Sequence, residues 1–431
     1  MAANSVAESG GKEIECSRVG CVSGSRIWRQ FPLVALATGI ASLLNFAFQF
    51  IAARMLSPQD YGLFLSLLTV LTVIGAAGTG FQALAARSVS SKIGWSPSPK
   101  YLDRTTRQVL TVSFIALAAL LLLAGPLGGF LSSPLVNLVV VAVSIPVLFV
   151  QSIALGRLQG AGSLILVAAV GLFVAGAKVI GVLLGFVIPV SVPYLLVLLI
   201  FVNVLSLVVS AGRVRRTGSL NASLLTRTGS MVILAQFCYW GLAGVDVVVA
   251  RGRLMELDAG YFAAAATLAK TVLFLPGIIT MFVLPHAGNL WNDAARRRIL
   301  AKRALVVTAL ISVVATLALF LLGSLLISFA FGPTYVEATA YVGPLALSYV
   351  PLALVGVVLQ FNFTSGRWLY GLSILGTLVA TSLLLILVPP SAISFIVIVG
   401  ISSTVLLGLL LAERQWVSSK EPAAQRDGTD E

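Results

Sequence analysis

Apolar runs, each close to the ~20 residues that an α-helix needs to cross a hydrocarbon core, alternate with short polar breaks along almost the whole chain. The pattern predicts twelve transmembrane helices. Spans 1 to 6 cover Phe31–Ala53, Gly62–Ala85, Val109–Leu131, Leu135–Leu155, Ser163–Phe186 and Val192–Ala211. Spans 7 to 12 cover Gly229–Ala250, Gly260–Val283, Ala304–Ala330, Val336–Leu359, Leu369–Val388 and Ala392–Leu411. Polar tails (1–28 and 413–431) and a basic linker (213–228) flank two six-helix lobes, 29–212 and 229–412. The first apolar stretch follows a polar segment and ends at Arg54 without a small-residue cleavage pattern, so it is expected to be a span and not a signal segment.

Composition supports a protein wetted by lipid. Of the 431 residues, 58% are hydrophobic and only 10% charged, against roughly a quarter charged in soluble domains. The net charge of +13 would suit a nucleic-acid partner, but the Lys and Arg residues sit between apolar runs, where they orient membrane proteins. With both termini cytoplasmic, 23 fall on the inner side and three on the outer, namely Arg54, Arg251 and Arg253. Trp28, Trp95, Trp291, Trp368 and Trp416 then lie at inner ends, as interfacial anchors do, and Trp240 lies within span 7. Arg296–Arg298, Lys302 and Arg303 form a basic cluster suited to anionic membrane lipids. The three cysteines are too few for a disulfide framework; Cys238, inside a span, reads as a small core residue.

The junction between spans 1 and 2, ARMLSPQDYGLF (Ala53 to Phe64), matches the junction between spans 7 and 8, RGRLMELDAGYF (Arg251 to Phe262). Each runs from basic residues through Leu and Met to an acid, a Gly–Tyr pair and Phe. Six spans separate them, so the two halves are expected to be parallel repeats about an axis along the membrane normal, with a site between them.

The stretch L-S-P-Q-D-Y-G-L-F (Leu56 to Phe64), after an apolar helix and Arg54, resembles the polysaccharide-biosynthesis transporters. These include the O-antigen flippases, within the superfamily of multidrug, oligosaccharidyl-lipid and polysaccharide exporters. The segment G-Y-F…L-A-K…L-P-G-I-I…P (Gly260 to Pro285) is similar to the family's eighth helix. The resemblance covers spans 1–10. It implies two six-helix lobes and a flippase for a polyprenyl-pyrophosphate-linked saccharide at the cytoplasmic membrane. Twelve helices in 431 residues favour the O-antigen and capsule-type branch over the longer lipid II branch.

Ionisable groups in hydrocarbon cost about 2.5–3.5 kcal/mol each on insertion scales and so face a cavity or a partner. Lys178, Asp246 and Lys270 qualify. From the helical rise, Lys270 sits near the midplane, with Lys178 about 5 Å and Asp246 roughly 10 Å further out. Lys270 and Lys178 are candidates to hold a phosphate in a cavity; Asp246 is a candidate counter-ion, or a ligand for a coupling H+ or Na+. A structural Lys–Asp pair locking span 7 is the competing reading. Arg54 and Arg251 could hold anionic substrate at the outer mouth, or simply pair with Asp60, Glu256 and Asp258. Asn45 and Gln49, one turn apart on span 1, are candidate cavity amides, although such groups often only join helices. Trp240 could stack on a sugar ring or pack mid-helix. Pro146 and Pro276 are expected to kink spans 4 and 8.

No nucleophile motif, phosphate-cradling loop or metal cluster is visible, and no cofactor is implied. The outer loops are too short for the reactive loop of a ligase or polymerase, so an enzyme acting on lipid-linked sugars is a weaker reading than a transporter. A cation-coupled multidrug exporter is the nearer alternative, since an acid in span 7 suits it. The charge bias makes a topological prediction: cysteines placed in 213–227 or 296–303 stay unlabelled by an impermeant thiol reagent added to intact cells. Labelling of either from outside would reverse the orientation.

Overall fold

A computed structural model describes residues 24–91, 95–96, 103–187, 189–214, 219–220, 223–273, 294–362 and 368–420. Among these, the chain is almost entirely helical. The helices are α1 (Gly24–Met55), α2 (Pro58–Ser90), α3 (Arg104–Leu122), α4 (Ala124–Leu131), α5 (Leu135–Gly160), α6 (Leu164–Leu183) and α7 (Val192–Val214). They continue with α8 (Arg227–Leu242), α9 (Val245–Arg253), α10 (Glu256–Ala269), α11 (Ala294–Ala330), α12 (Thr339–Asn362), α13 (Trp368–Leu387) and α14 (Ala392–Lys420). Ten helical stretches are long and apolar enough to cross a membrane, and α8 with α9 forms an eleventh, bent span. Span 8 is described only as far as Leu273, so Pro276, Pro285, His286 and Trp291 lie outside the described residues.

Three expected helices are not continuous, span 8 turning at Lys270 just beyond α10. Span 3 divides at Leu123 into α3 and α4, and span 7 divides at Ala243–Gly244 with a bend of 45°. Pro126, in the first turn of α4, has no amide to continue α3, and Gly244 caps α9; the apolar pattern alone weighs neither. Pro146, by contrast, lies inside α5, which runs unbroken through it.

The helices are turned inside out relative to those of a soluble protein. On α11, Val306, Leu310, Val313, Leu317, Leu321, Leu325 and Phe329 form an exposed apolar stripe, whereas Thr308, Ser312 and Thr316 are buried. An apolar face turned outward is the arrangement that a lipid solvent imposes; the three buried hydroxyls have no hydrogen-bond partner among the described residues. Elsewhere hydroxyls bond back to their own helix, as Thr69 does to the Leu65 carbonyl at 2.7 Å and Ser66 to that of Gly62 at 2.8 Å.

Helix starts at the bundle ends are capped by polar side chains. Ser57 Oγ accepts from the Asp60 amide at 3.1 Å, with Pro58 in the first turn of α2. Thr226 Oγ1 accepts from the Gly229 amide at 3.1 Å and starts α8. Asp103 caps α3 through the Thr106 amide at 2.9 Å, and its other oxygen takes both Arg157 Nη2 at 2.6 Å and the Leu220 amide at 2.7 Å. Gln108 adds a bond to Ser223 Oγ at 3.2 Å and accepts from the Leu224 amide. A two-residue antiparallel pairing, β1 (Trp95–Ser96) with β2 (Ser219–Leu220), completes the attachment. The linker between the halves is thus tied to the first half by hydrogen bonds to Asp103 and Gln108.

The sequence-matched junctions meet. A Cβ on Gly62 would stand 3.0 Å from the Cα of Gly260, and a Cβ on Gly260 would collide with the Pro58 carbonyl oxygen. Equivalent residues can touch each other only on or near an axis relating the two halves, so this contact marks the pseudo-two-fold. Around it Tyr61, Phe331 and Tyr335 pack edge to face, with centroids 5.8 and 6.0 Å from Tyr61. Tyr335 also donates to the Ala53 carbonyl at 3.0 Å, and Tyr61 and Thr267 hydroxyls lie 2.9 Å apart. We call this the junction end and the opposite one the linker end. Gly260→Ala is expected to lower stability by about 1–3 kcal/mol through overpacking against backbone. Gly376→Ala, with open space around it, should be nearly neutral; equal thermal midpoints for the two in detergent would refute the close approach.

Candidate functional site

A cleft of about 100 Å³ opens between the halves. Its walls come from span 1 (Phe46, Gln49), α2 (Leu65 to Val73), the break in span 7 (Trp240, Ala243, Gly244) and α10 (Thr267, Lys270). Gly244 lets α2 approach the break, since a Cβ there would collide with Thr69 Cγ2.

The break changes the electrostatics of the cleft. It starts a new helix, α9, within the membrane, and Asp246 lies in its first turn, where the helix dipole favours an anion. Lys270 stands at the C-terminal end of α10, where it favours a cation. Lys270 Nζ is 3.9 Å from Asp246 Oδ1, and the Tyr349 hydroxyl donates to Oδ2. Lys270 also sits 6.0 Å from the Tyr349 ring centroid. Asp246 is fully buried, and its Oδ1 has no hydrogen-bond donor among the described residues. The Lys270 side chain keeps 17% of its surface accessible, on the cleft side. The group therefore presents a cation to the cleft and keeps its carboxylate behind it, with one oxygen free to take a proton or a small cation.

No protein-family model matches the chain, and no curated protein matches it by sequence. Solved structures do match. A lipid II flippase, MurJ, in an inward closed conformation aligns with a TM-score of 0.68 at 14% identity, over 89% of this chain and 87% of that one. An inward-facing multidrug resistance MATE family transporter of the MOP superfamily gives 0.67 at 12% identity, over 88% and 95%. A point mutant of the Vibrio cholerae MATE transporter VcmN gives 0.62 at 14% identity, over 93% and 99%. The chain has the fold of the MOP-superfamily transporters. At these identities the likeness is one of fold.

On this fold the sequence candidates separate. Lys270, Gln49 and Trp240 line the cleft, with Asp246 directly behind Lys270. Lys178 does not reach Asp246: its Nζ donates to Asn45 Oδ1 at 3.1 Å, and Asn45 Nδ2 donates to the Ala41 carbonyl at 2.9 Å, joining spans 5 and 1. Arg54 and Arg251 lie at the junction end, bonded to backbone carbonyls of the opposite half. Arg251 also pairs with Glu256 at 3.1 Å. Asp246 is shut off from solvent beside the break in span 7.

Sequence reasoning missed Tyr349. The available signal was a phenol in the middle of an apolar span, between Pro344 and Pro351, where its hydroxyl must find an acceptor. It also placed Arg157 in a loop, although the side chain is buried against Asp103. Tyr349→Phe should cost about 1–3 kcal/mol, because it leaves a buried carboxylate oxygen unsatisfied. An unchanged thermal midpoint would rule out a buried, hydrogen-bonded carboxylate at Asp246.

Proposed function

We propose that this chain is a flippase that moves a lipid-linked oligosaccharide or polysaccharide precursor across the cytoplasmic membrane by alternating access. In this reading its lobes, 29–212 and 229–412, rock about the cleft, and both termini are cytoplasmic. The observation that carries it is Lys270: a cation that lines a cleft between two halves at mid-span, in the fold of a lipid flippase and of multidrug transporters. A compact ammonium suits a phosphate. The saccharide and pyrophosphate would occupy the cleft, with Gln49 and Trp240 as amide and stacking partners, while the polyprenyl tail stays in lipid. That division keeps charge out of hydrocarbon, where each one costs several kcal/mol.

An inward-negative potential favours outward movement of an anion by about 2.3 kcal/mol per charge per 100 mV. A coupling H+ or Na+ at Asp246 would then serve mainly to reset the carrier. The second reading is a cation-coupled multidrug exporter. It draws on the same buried carboxylate, whose Oδ1 accepts no hydrogen bond among the described residues.

Lys270→Ala is expected to reach the membrane at normal abundance and lose surface polysaccharide export, and Lys270→Arg to keep part of it. Normal export by Lys270→Ala at normal abundance would remove the role assigned here. Loss of abundance with export in proportion would make Lys270 a structural partner of Asp246. Retained export of cationic dyes by a chain unable to export the saccharide would favour the exporter.

A further inference from the structure

The two halves are joined at the junction end by arginines that repeat. Arg54, in the last turn of α1, donates from Nε to the Ala330 carbonyl at 3.1 Å and from Nη2 to the Phe329 carbonyl. Both acceptors lie at the C-terminus of α11. Arg251, in the last turn of α9, donates from Nε to the Leu131 carbonyl at 3.0 Å, at the C-terminus of α4. In both cases the first span of one half grips the third span of the other. The register that aligns Gly62 with Gly260 also aligns Leu131 with Phe329, and it leaves Arg54 one position away from the match of Arg251. Beyond each acceptor the chain turns through a left-handed residue, Ser132 (φ 50°) and Gly332 (φ 97°), followed by Pro134 and Pro333.

The chemistry of both contacts is the same. The last carbonyls of a helix have no partner within it and carry partial negative charge. A guanidinium is a planar fork that can serve adjacent acceptors. Arg251 uses further donors on the Gln59 carbonyl at 3.2 Å and on Glu256.

We propose that Arg54 and Arg251 are a two-fold-related pair of latches that hold the junction end of the cleft shut and release together. Each bridges the same two bodies, on either side of the Gly62–Gly260 contact. Separating the bodies must stretch both. Released carbonyls and guanidinia lie at the end of the bundle, where water can satisfy them, so opening leaves no buried donor stranded. This inference rests on the alternating-access reading and not on the identity of the substrate.

Hydrogen–deuterium exchange of the full chain in lipid nanodiscs tests it, read on peptides covering 128–137 and 327–336. Arg54→Gln removes only the donor to α11, yet concerted release requires faster exchange at 128–137 as well. Arg251→Gln must do the converse at 327–336. The expected rise at the distant peptide is on the order of tenfold, given the usual strength of charged hydrogen bonds. Acceleration confined to the peptide that lost its own donor overturns the proposal. Should a glutamine variant not fold, Arg54→Lys and Arg251→Lys keep the charge with fewer donors and give the same crossed readout at smaller amplitude. The measurement needs no substrate, so it stands or falls apart from the lipid-linked saccharide reading.

Discussion

Hydrocarbon offers no hydrogen-bond partner, so every polar group within the bilayer must be satisfied by the protein itself. This constraint accounts for most of the specific contacts in the chain. It keeps the leucines and valines of α11 outward, and it bonds the Thr69 and Ser66 hydroxyls back to carbonyls of their own helix. It pairs Lys178 with Asn45, and it gathers Lys270 and Tyr349 around Asp246. A residue that would be ordinary on a soluble surface becomes, at mid-span, a commitment to a particular neighbour.

The break in span 7 applies the same constraint to the backbone. A helix interrupted within the membrane has unpaired amides at one new end and unpaired carbonyls at the other. Such interruptions are tolerated where they are buried in protein or line a cavity, and this one does both. It also creates a local field that an unbroken helix lacks. Asp246 occupies the positive end of α9 and Lys270 the negative end of α10, so the pair is supported by helix ends as well as by mutual attraction. The cleft acquires an accessible cation without an unbalanced buried charge behind it.

The ends of the bundle solve a different problem, which is to hold two halves together without fusing them. At the junction end the contacts between halves are a glycine pair, edge-to-face aromatics and side chains donating to helix-terminal carbonyls. Each is directional and short in range, so a small displacement loses it entirely. Near the linker end, Asp103 ties the 219–224 segment to α3 and α5, which leaves the linker anchored to one half. Strong anchoring on one half and breakable contacts between halves are what rigid-body rearrangement requires.

The membrane class, the helices and the repeat were legible in the sequence because they depend on short-range or periodic properties. Helix length follows from apolar run length, and the repeat from two matched junctions around Gly62 and Gly260. Lys270 and Asp246 were legible as exceptions in apolar runs, since charge in hydrocarbon is costly wherever it lies. The partner of each charge was not. Lys178 and Lys270 look alike in the sequence, yet one meets an amide on span 1 and the other a carboxylate across the break in span 7. Tyr349 lies far along the chain from Asp246, and only helix packing brings its hydroxyl to the carboxylate. The breaks at Leu123 and Ala243–Gly244 leave the apolar runs uninterrupted, and only Pro126 and Gly244 beside them hint at a division. Sequence determines what each segment needs, because solvation cost is local; tertiary structure alone decides which distant group supplies it, because hydrogen bonds and ion pairs act over a few ångströms in space and take no account of distance along the chain.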